Sequence, residues 1–280
     1  MLRMILAPNP SPLTGPGTNS FLLGRESVAV IDPGPDLPAH VDALIAAGDG
    51  RISHIFVTHA HLDHSAAAPA LARASGAPVI GFGTAETGRS AVMAGLATSA
   101  RGGEGVDHGF SPDIVMRDGD EIVTAEWSLR AVHTQGHMGN HLSFLWGDTL
   151  FCGDIVLGWA STLISPPDGD LIDYMRSLDR IEALAPARLR PAHGDMIDNP
   201  AARLTELRAH RRDRGTQILR ALYDGPADAA TLARRIYDDI PPALLPAAAR
   251  NVLAHLIAMN ELGITVTRGQ ISAESRFELA

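Results

Sequence analysis

The stretch from Thr58 to His64, THAHLDH, places three imidazoles and one carboxylate within six positions. It follows directly on ISHIFV, an apolar and β-branched run typical of a buried strand. Proteins that mix strands and helices place their sites where such strands end. Imidazole and carboxylate are ligands that zinc, iron and manganese accept. The stretch therefore predicts a metal-binding loop at the edge of a sheet.

The spacing within this stretch divides its side chains between two ions. His59 and His61 lie two positions apart on a near-extended backbone, so they can point towards the same ion. Asp63 and His64 can then turn towards a second ion. One loop cannot complete two coordination spheres, so further ligands must come from elsewhere. The candidates at other strand ends, each beside a glycine, are His137 in HTQGHMGNH, Asp154 in FCGDIV and His193 in RPAHGD.

Strand and helix patterns alternate along the first 200 residues, which predicts sheets covered by helices. HLSFLWGDTLFCGD is typical of a hairpin that turns at Gly147 and Asp148. Helices are predicted over about 65–75 and 171–185. The segment 81–119 is rich in glycine and alanine, and we expect it to be a mobile flap over the site.

The charge balance changes near Pro200. Residues 1–200 carry 12 Arg against 23 Asp and Glu, whereas 201–280 carry 11 Arg against 9 acids. This break predicts a larger domain over 1–200 and a smaller one over 201–280. The smaller one resembles a winged-helix module, since its pattern predicts a terminal β-hairpin after helices over about 201–223, 228–238 and 244–261.

Composition excludes several classes of protein. Lysine is absent, which rules out Schiff-base chemistry and a phosphate-binding P-loop lysine. The single cysteine, Cys152, cannot form an internal disulfide, and its apolar surroundings predict burial. The opening MLRMILAPNPSP has an apolar run that Pro8 cuts short, and no other run approaches the roughly 18 apolar residues of a membrane span. We therefore expect a cytoplasmic protein without a membrane span.

Taken together, these motifs resemble the metallo-beta-lactamase-fold hydrolases over about residues 5–200. The chain is most similar to the beta-lactamase-like protein 2 group, through NPSPLTGPGTNSFLLG, VIDPG, THAHLDHS, GDLIDYMRSL, PAHGDMIDNP and the winged-helix tail. The resemblance implies an α+β fold, a four-layer αβ/βα sandwich followed by a small winged-helix domain. It also implies two divalent metal ions, with zinc expected and iron or manganese as alternatives. Gln135 departs from the pattern, where proline is usual, but removes no ligand.

The resemblance implies a part for each candidate ligand. The ligands of the first ion would be His59, His61 and His137. Those of the second would be Asp63, His64 and His193. Asp154 would bridge the two ions. Asp63 would also be the catalytic residue, orienting the attacking water and delivering a proton to the leaving group.

Two further residues are expected beside the metals. Asp32, in VAVIDPG, is expected to accept a hydrogen bond from a metal-bound imidazole or a backbone amide. The alternative is an aspartate of the turn before Pro33. His141 is expected to touch substrate or a metal-bound water, and the alternative is a strand histidine that is hydrogen-bonded in the sheet.

The leading function predicted for such a site is hydrolysis by a metal-bound hydroxide. By resemblance, the substrate would be a phosphodiester, single-stranded RNA. A net charge of -9 opposes binding of a polyanion, although the metal ions and the +2 balance of 201–280 soften that objection. The alternative is hydrolysis of a thioester, as in glyoxalase II enzymes, or of a lactone, in a confined pocket.

A third hypothesis is a DNA-binding regulator with a vestigial metal site. The expected recognition helix offers only Arg250 and His255 as cationic contacts, so sequence-specific DNA binding is not expected. The tail is instead expected to shape the substrate cleft or to pack between subunits of a homo-oligomer. An arginine cluster before this helix is expected either to cradle a phosphodiester or to form a solvated face; it comprises Arg208, Arg211, Arg212 and Arg214.

Overall fold

Two sheets form the centre of the larger part of the structure, a computed structural model that describes residues 1–98, 103, 105–237 and 240–280. The strands of the first sheet are β1 (Leu2–Leu6), β2 (Asn19–Leu23), β3 (Val28–Ile31), β4 (Ile52–Phe56), β5 (Val79–Gly81) and β6 (Ile114–Val115). They lie side by side in chain order. The first three pair antiparallel and the last four, from β3 onwards, pair parallel. The parallel strands therefore end at one common edge.

The second sheet has five strands. They are β7 (Glu121–Val123), β8 (Ser128–His133), β9 (Leu142–Trp146), β10 (Thr149–Gly153) and β11 (Arg188–Pro191). Neighbours pair antiparallel except β10 and β11, which are parallel. The predicted hairpin is confirmed, because β9 and β10 are joined through Gly147 and Asp148.

Alternation along β2 shows how the layers form. Phe21 and Leu23 face the second sheet and share a core with Phe144 and Phe151. Leu22 faces the opposite way, into a core that the helices of the first sheet cover. Successive strand side chains point to opposite faces, so a strand buried on both faces must be apolar throughout. The expected four-layer αβ/βα sandwich is confirmed.

The outer face of the first sheet is covered by α1 (Pro38–Gly48) and α3 (Ala68–Ser75), and that of the second by α5 (Leu171–Leu184). Two shorter helices lie elsewhere: α2 (Leu62–Ser65) belongs to the loop after β4, and α4 (Ala91–Leu96) packs against the C-terminal part of the chain. The expected flap over 81–119 includes α4 and β6, and its residues 99–102 and 104 lie outside the described part of the chain. The Ser90 side chain accepts a hydrogen bond from Met93 N and so caps α4.

The remaining chain forms the expected winged helix. Its elements are α6 (Pro200–Leu222), β12 (Ala227–Asp228), α7 (Ala229–Ile236), a 3₁₀ turn (Pro242–Leu244), α8 (Leu245–Glu261), β13 (Thr265–Thr267) and β14 (Arg276–Leu279). The last two strands pair antiparallel as the predicted hairpin. The expected end of α7 at 238 lies outside the described residues.

One helical stretch, Pro242–Glu261, has the length and apolar composition that could cross a membrane. The sequence pattern predicted no membrane span. Val252 and Leu256 on this stretch are fully buried in the core of the winged helix. Ala254 and Ala258 lie in a second core, which they share with α5 and the second sheet. Packing on both sides explains why this helix is apolar. A helix that is apolar all round can be buried in the core of a protein as well as in a membrane.

Candidate metal centre

Four chain segments bring the predicted ligands to one edge of the sandwich. His59, His61, Asp63 and His64 follow β4, and His137 lies between β8 and β9. Asp154 follows β10 directly, and His193 comes two residues after β11. The convergence follows from the topology, because these segments leave neighbouring strand ends.

The backbone before Asp154 explains one of the neighbouring glycines. Gly153 has φ +47°, a conformation that side chains with a Cβ rarely adopt. A Cβ there would lie 2.5 Å from His141 Nε2 and 2.8 Å from Thr58 Oγ1. Glycine therefore lets β10 turn into the site without displacing either neighbour.

Three imidazoles form the first group of potential ligands. His61 Nδ1 lies 2.8 Å from His59 Nε2 and 3.0 Å from His137 Nε2. Nitrogens bound to one tetrahedral zinc at about 2.0–2.1 Å lie roughly 3.3 Å apart. The three nitrogens thus converge about as closely as ligands of one ion do, and His59, His61 and His137 form one possible metal-binding group.

The second group combines one carboxylate with two imidazoles. Asp63 Oδ2 lies 3.2 Å from His193 Nε2 and 3.6 Å from His64 Nε2. Asp154 lies between the groups: its Oδ1 is 3.5 Å from the Nε2 atoms of both His64 and His193, and its Oδ2 is 3.7 Å from His137 Nε2. Each oxygen of Asp154 therefore faces a different group, as a bridging carboxylate would.

Hydrogen bonds on the far side of the rings set their orientation. Nδ1 of His137 lies 2.8 Å from the Leu163 carbonyl oxygen, and Nδ1 of His193 lies 3.0 Å from that of Gly17. A carbonyl only accepts, so Nδ1 of each ring carries the proton and donates. When the ring is neutral, its lone pair is then on Nε2, which faces the cluster, as outer partners of metal-bound histidines arrange it.

Asp32 takes the place expected of a residue beside the metals. Its carboxylate accepts hydrogen bonds from Thr58 N at 2.7 Å and Thr58 Oγ1 at 2.9 Å. Its Oδ2 also lies 3.0 Å from His64 Nδ1. Asp32 has φ 51°, a left-handed conformation that aspartate tolerates better than most residues. It therefore joins the loop that follows β4 to the His64 ring.

His141 lies beneath the cluster. It is fully buried, its Nδ1 lies 3.0 Å from Thr134 Oγ1, and its Nε2 accepts a hydrogen bond from Asp154 N at 3.1 Å. It is not among the described residues that line the cavity. His141 therefore orients the backbone of Asp154, and the expected contact with substrate or a metal-bound water stays a prediction.

Two buried polar atoms at the centre lack a hydrogen-bond partner among the described residues, His64 Nε2 and Asp154 Oδ1. Leaving such a group unsatisfied costs about 1–3 kcal/mol, so native proteins avoid it. Both atoms face the gap between Asp63 and His193. Imidazole nitrogens and carboxylate oxygens suit zinc, iron or manganese, so the residues present fit divalent ions.

The charge balance of the two groups agrees with this fit. Burial lowers the pKa of His61 to about 3, with a further contribution from His137, so this ring is neutral and keeps a lone pair. Burial also disfavours a charge on His64, but Asp63, Asp154 and Asp32 raise its pKa well above the ordinary value. The carboxylates thus stabilise positive charge at the centre of the cluster, which divalent cations would supply.

A cavity of about 490 Å³ opens onto the cluster, and this size is typical of small-molecule sites. His61, Asp63 and Asp154 line its floor. Sequence reasoning missed the apolar rim, where Leu13 is 53% exposed, Leu62 47% and Trp159 48%. Leu13 and Leu62 lie inside quoted motifs, but the three residues belong to separate segments of the chain, so no local pattern shows that they meet at one rim.

The winged helix forms another part of the cavity wall, through Ala243, Leu244, Pro246, Ala247 and Arg250. The expectation that the tail shapes the cleft agrees with this arrangement. The alternative of packing between subunits stays a prediction.

None of the four arginines of the α6 cluster is among the described residues that line the cavity. Arg208 pairs with Asp179 at 2.9 Å and with Glu182 at 3.1 Å. Arg211 is buried, Arg212 is exposed, and Arg214 stacks on the Tyr237 ring at 3.8 Å. The cluster therefore has structural partners and does not form a cradle beside the site.

Clusters of imidazoles and carboxylates joined by an aspartate, at the edge of an αβ/βα sandwich, define a class of metal-dependent hydrolases. The sequence matches the metallo-beta-lactamase superfamily over residues 13–193. Residues 229–273 match the beta-lactamase associated winged helix domain. The chain therefore belongs to the metallo-beta-lactamase superfamily of hydrolases, as its motifs predicted.

Two relatives show what kinds of protein have sequences similar to this chain. The beta-lactamase-like protein 2 homolog of Drosophila melanogaster is 31% identical over 271 residues, which cover 92% of this chain and 87% of that protein. The atrochrysone carboxyl ACP thioesterase AgnL7 of Paecilomyces divaricatus is 31% identical over 224 residues, 78% of this chain and 63% of that protein. The family thus includes a protein named as a thioesterase.

Solved structures share the fold. The metallo-beta-lactamase family protein TTHA1429 from Thermus thermophilus superposes with a TM-score of 0.79 at 25% identity, covering 100% of this chain and 98% of that one. TTHA1623 in a di-iron-bound form superposes with a TM-score of 0.54 at 26% identity, covering 74% of this chain and 96% of that one. Members of the superfamily therefore bind divalent metals.

Proposed function

We propose that this protein hydrolyses acyl thioesters with the help of two divalent metal ions. The observation that carries the proposal is the cavity of about 490 Å³ with an apolar rim, which opens directly onto the metal-ligand cluster. A cavity of this kind suits an acyl chain at the rim and a reactive carbonyl at the floor. The similarity to a protein named as an acyl carrier protein thioesterase supports the same substrate class.

The proposed ligands are those that the sequence predicted. His59, His61 and His137 would hold one ion. Asp63, His64 and His193 would hold the other. Asp154 would bridge them. We propose zinc, with iron or manganese as alternatives, because the donor set accepts all three. When bound, such ions lower the pKa of water and polarise a carbonyl oxygen.

Asp63 is the proposed catalytic residue. Its side chain is 28% exposed, against 11% for Asp154, so it is the more accessible carboxylate of the cluster. A carboxylate in this position can accept a hydrogen bond from the attacking water and then carry its proton towards the leaving sulfur. The water oxygen forms a bond to the acyl carbon, the carbon–sulfur bond breaks, and the products are a carboxylic acid and a thiol.

Single-stranded RNA is the second candidate substrate, supported by the resemblance to the beta-lactamase-like protein 2 group. The cavity argues against it. Its described lining holds three aspartates, Asp63, Asp154 and Asp168, but only one arginine, Arg250. A polyanion is bound through several cationic contacts. A lactone would fit the same cavity and is a third substrate for the assay.

A DNA-binding regulator is the least supported function. The recognition helix of a winged-helix protein must present a free face to the major groove. Helix α8 is buried on two sides and contributes to the cavity wall. It therefore lacks the free basic face that reading DNA would need.

The test combines elemental analysis with substrate assays on metal-replete protein. We expect two metal ions per chain and hydrolysis of acyl thioesters, both lost after treatment with a chelator and restored by adding metal. Cleavage of labelled single-stranded RNA with intact thioesters would instead support the nuclease. If protein purified in the presence of excess metal contained no bound metal, the proposed mechanism would be overturned for every substrate.

A further inference from the structure

Arg250 is a cation in the cavity wall that has no counterion among the residues that the structure describes. It belongs to the first half of α8 and is half-buried at the cavity. No hydrogen bond or ion pair joins its guanidinium to another described residue. A buried or half-buried arginine normally has an acceptor or an anion as its partner. The side chain is therefore available to a group that enters the cavity.

A second unpartnered polar group lies beside it. Ser165 Oγ is buried and has no hydrogen-bond partner among the described residues, and Ser165 also lines the cavity. A Cβ on Gly103 would lie 3.4 Å from Arg250 Nη1 and 3.3 Å from Ser165 Oγ. The two donors thus lie close together on one side of Gly103, where Asp168 Oδ2 also lies 3.8 Å from that Cβ position.

The nearest acid does not neutralise Arg250. Asp168 Oδ1 pairs with Arg89 Nη2 at 2.6 Å, and Asp168 Oδ2 accepts a hydrogen bond from Gly103 N at 2.7 Å. No ion pair within 4.0 Å joins Asp168 to Arg250 in the described part of the chain. Arg89 therefore already compensates the charge of Asp168, whereas no described residue compensates that of Arg250.

We propose that Arg250 and Ser165 form a subsite for an anionic group of the substrate, a carboxylate or a phosphate, at a distance from the scissile bond. This inference rests on the proposed thioesterase function and refines its substrate class. Arginine binds both anions through charge-assisted hydrogen bonds, and a serine hydroxyl donates one more. The winged helix would then select the substrate, while the strand-end cluster cleaves it.

Three thioesters of the same acyl length test the proposal and locate the anion. Hexanoyl-pantetheine is neutral, adipyl-pantetheine carries a carboxylate on the acyl side, and hexanoyl-phosphopantetheine carries a phosphate on the thiol side. Each is assayed with the metal-replete full-length protein, with R250Q and with the charge-conserving R250K. The exposed Arg212 of α6 supplies the matched control, R212Q.

We expect the wild type to prefer one of the two anionic substrates. R250Q should lower kcat/KM for that substrate by about 10- to 100-fold, the factor associated with a charge-assisted hydrogen bond, and lower it far less for the neutral substrate. R250K should keep most of the preference, and R212Q should keep all of it. Equal losses on all three substrates, or no preference in the wild type, would overturn the subsite.

A binding measurement separates this proposal from the proposed function. Calorimetry would compare adipate, the neutral hexanamide and phosphopantetheine as ligands of the same variants. If the wild type hydrolyses no thioester, the thioesterase proposal fails. A preference of the wild type for adipate or phosphopantetheine over hexanamide, lost in R250Q, would still support the anionic subsite. Equal binding of all three ligands by both proteins would overturn it.

Discussion

The cluster of candidate metal ligands and the cavity wall above it are held in place by different kinds of contact. The cluster comes from strand ends, and backbone carbonyls such as those of Gly17 and Leu163 orient its rings. The wall depends on side chains that reach across from α6: Arg203 Nε donates to the Leu157 carbonyl at 3.2 Å, and Arg211 donates to that of Thr162. The sandwich itself thus sets the chemistry, whereas docking of the second domain shapes the space for substrate.

Removing Asp63 should have the largest effect on activity, because it changes the cluster itself and leaves the cavity wall intact. We expect D63A to lower kcat by about 10²- to 10⁴-fold, as loss of a group that transfers protons does. Steady-state kinetics and metal content per chain would be measured together. The control is D42A, on the exposed side of α1. Full activity of D63A with a full metal complement would contradict the role of Asp63.

Removing Arg211 should destabilise the protein, because its side chain holds the cavity wall to α6 and α8 through buried hydrogen bonds. R211M would leave the Thr162 carbonyl and Asn251 Oδ1 without their buried donor. At roughly 1–3 kcal/mol for each unsatisfied group, we expect the free energy of unfolding to fall by about 3 kcal/mol. Urea denaturation checks this, with R212M at the exposed neighbouring arginine as the control. Equal stabilities of the two variants would show that the buried contacts of Arg211 contribute little.

Truncating Trp159 should change the rim and spare the cluster. The indole is 48% exposed and lines the cavity, so it can cover an acyl chain. We expect W159A to lower kcat/KM about tenfold for long acyl chains, and less for acetyl, since the loss scales with the apolar area covered. The measurement is a series of acyl lengths, with Y223A at the exposed end of α6 as the control. A loss independent of chain length would contradict the rim's part in acyl binding.

Removing Arg208 should have the smallest effect. Its partners Asp179 and Glu182 are exposed by 71% and 55%, so solvent screens the pairs. We expect R208M to change the free energy of unfolding by less than about 1 kcal/mol, and by less still at high salt. Denaturation at two salt concentrations checks this. A loss as large as that of R211M would show that burial does not distinguish the two arginines.

Sequence reasoning predicted the elements that local patterns specify. Asp170 precedes an amphipathic run, and in the structure it caps α5 by accepting hydrogen bonds from Ile172 N and Asp173 N. The turn at Gly147 and Asp148 likewise needs only two residues to join β9 to β10. The helix inside 81–119 was missed, because its short apolar face is buried against the winged helix and not against the adjacent chain.

The cluster was predictable for a related reason. His59, His61, Asp63 and His64 lie in one loop, and each remaining candidate follows its own apolar strand beside a glycine. Strand ends must meet at an edge once the sheets form, so proximity follows from the pattern. The surroundings of His141 were not predictable, since whether it faced substrate or Asp154 depended on the path of β10 past it.

The sequence by itself determined which side chains gather in the cluster, because imidazoles and carboxylates at strand ends are visible in the chain and strand ends meet at one edge. Only the tertiary structure decided the cavity. Trp159 and Arg250 are about ninety positions apart, in a loop and in the winged helix, and both line one space. No local periodicity encodes that meeting, since it depends on how α6 and α8 dock against the sandwich.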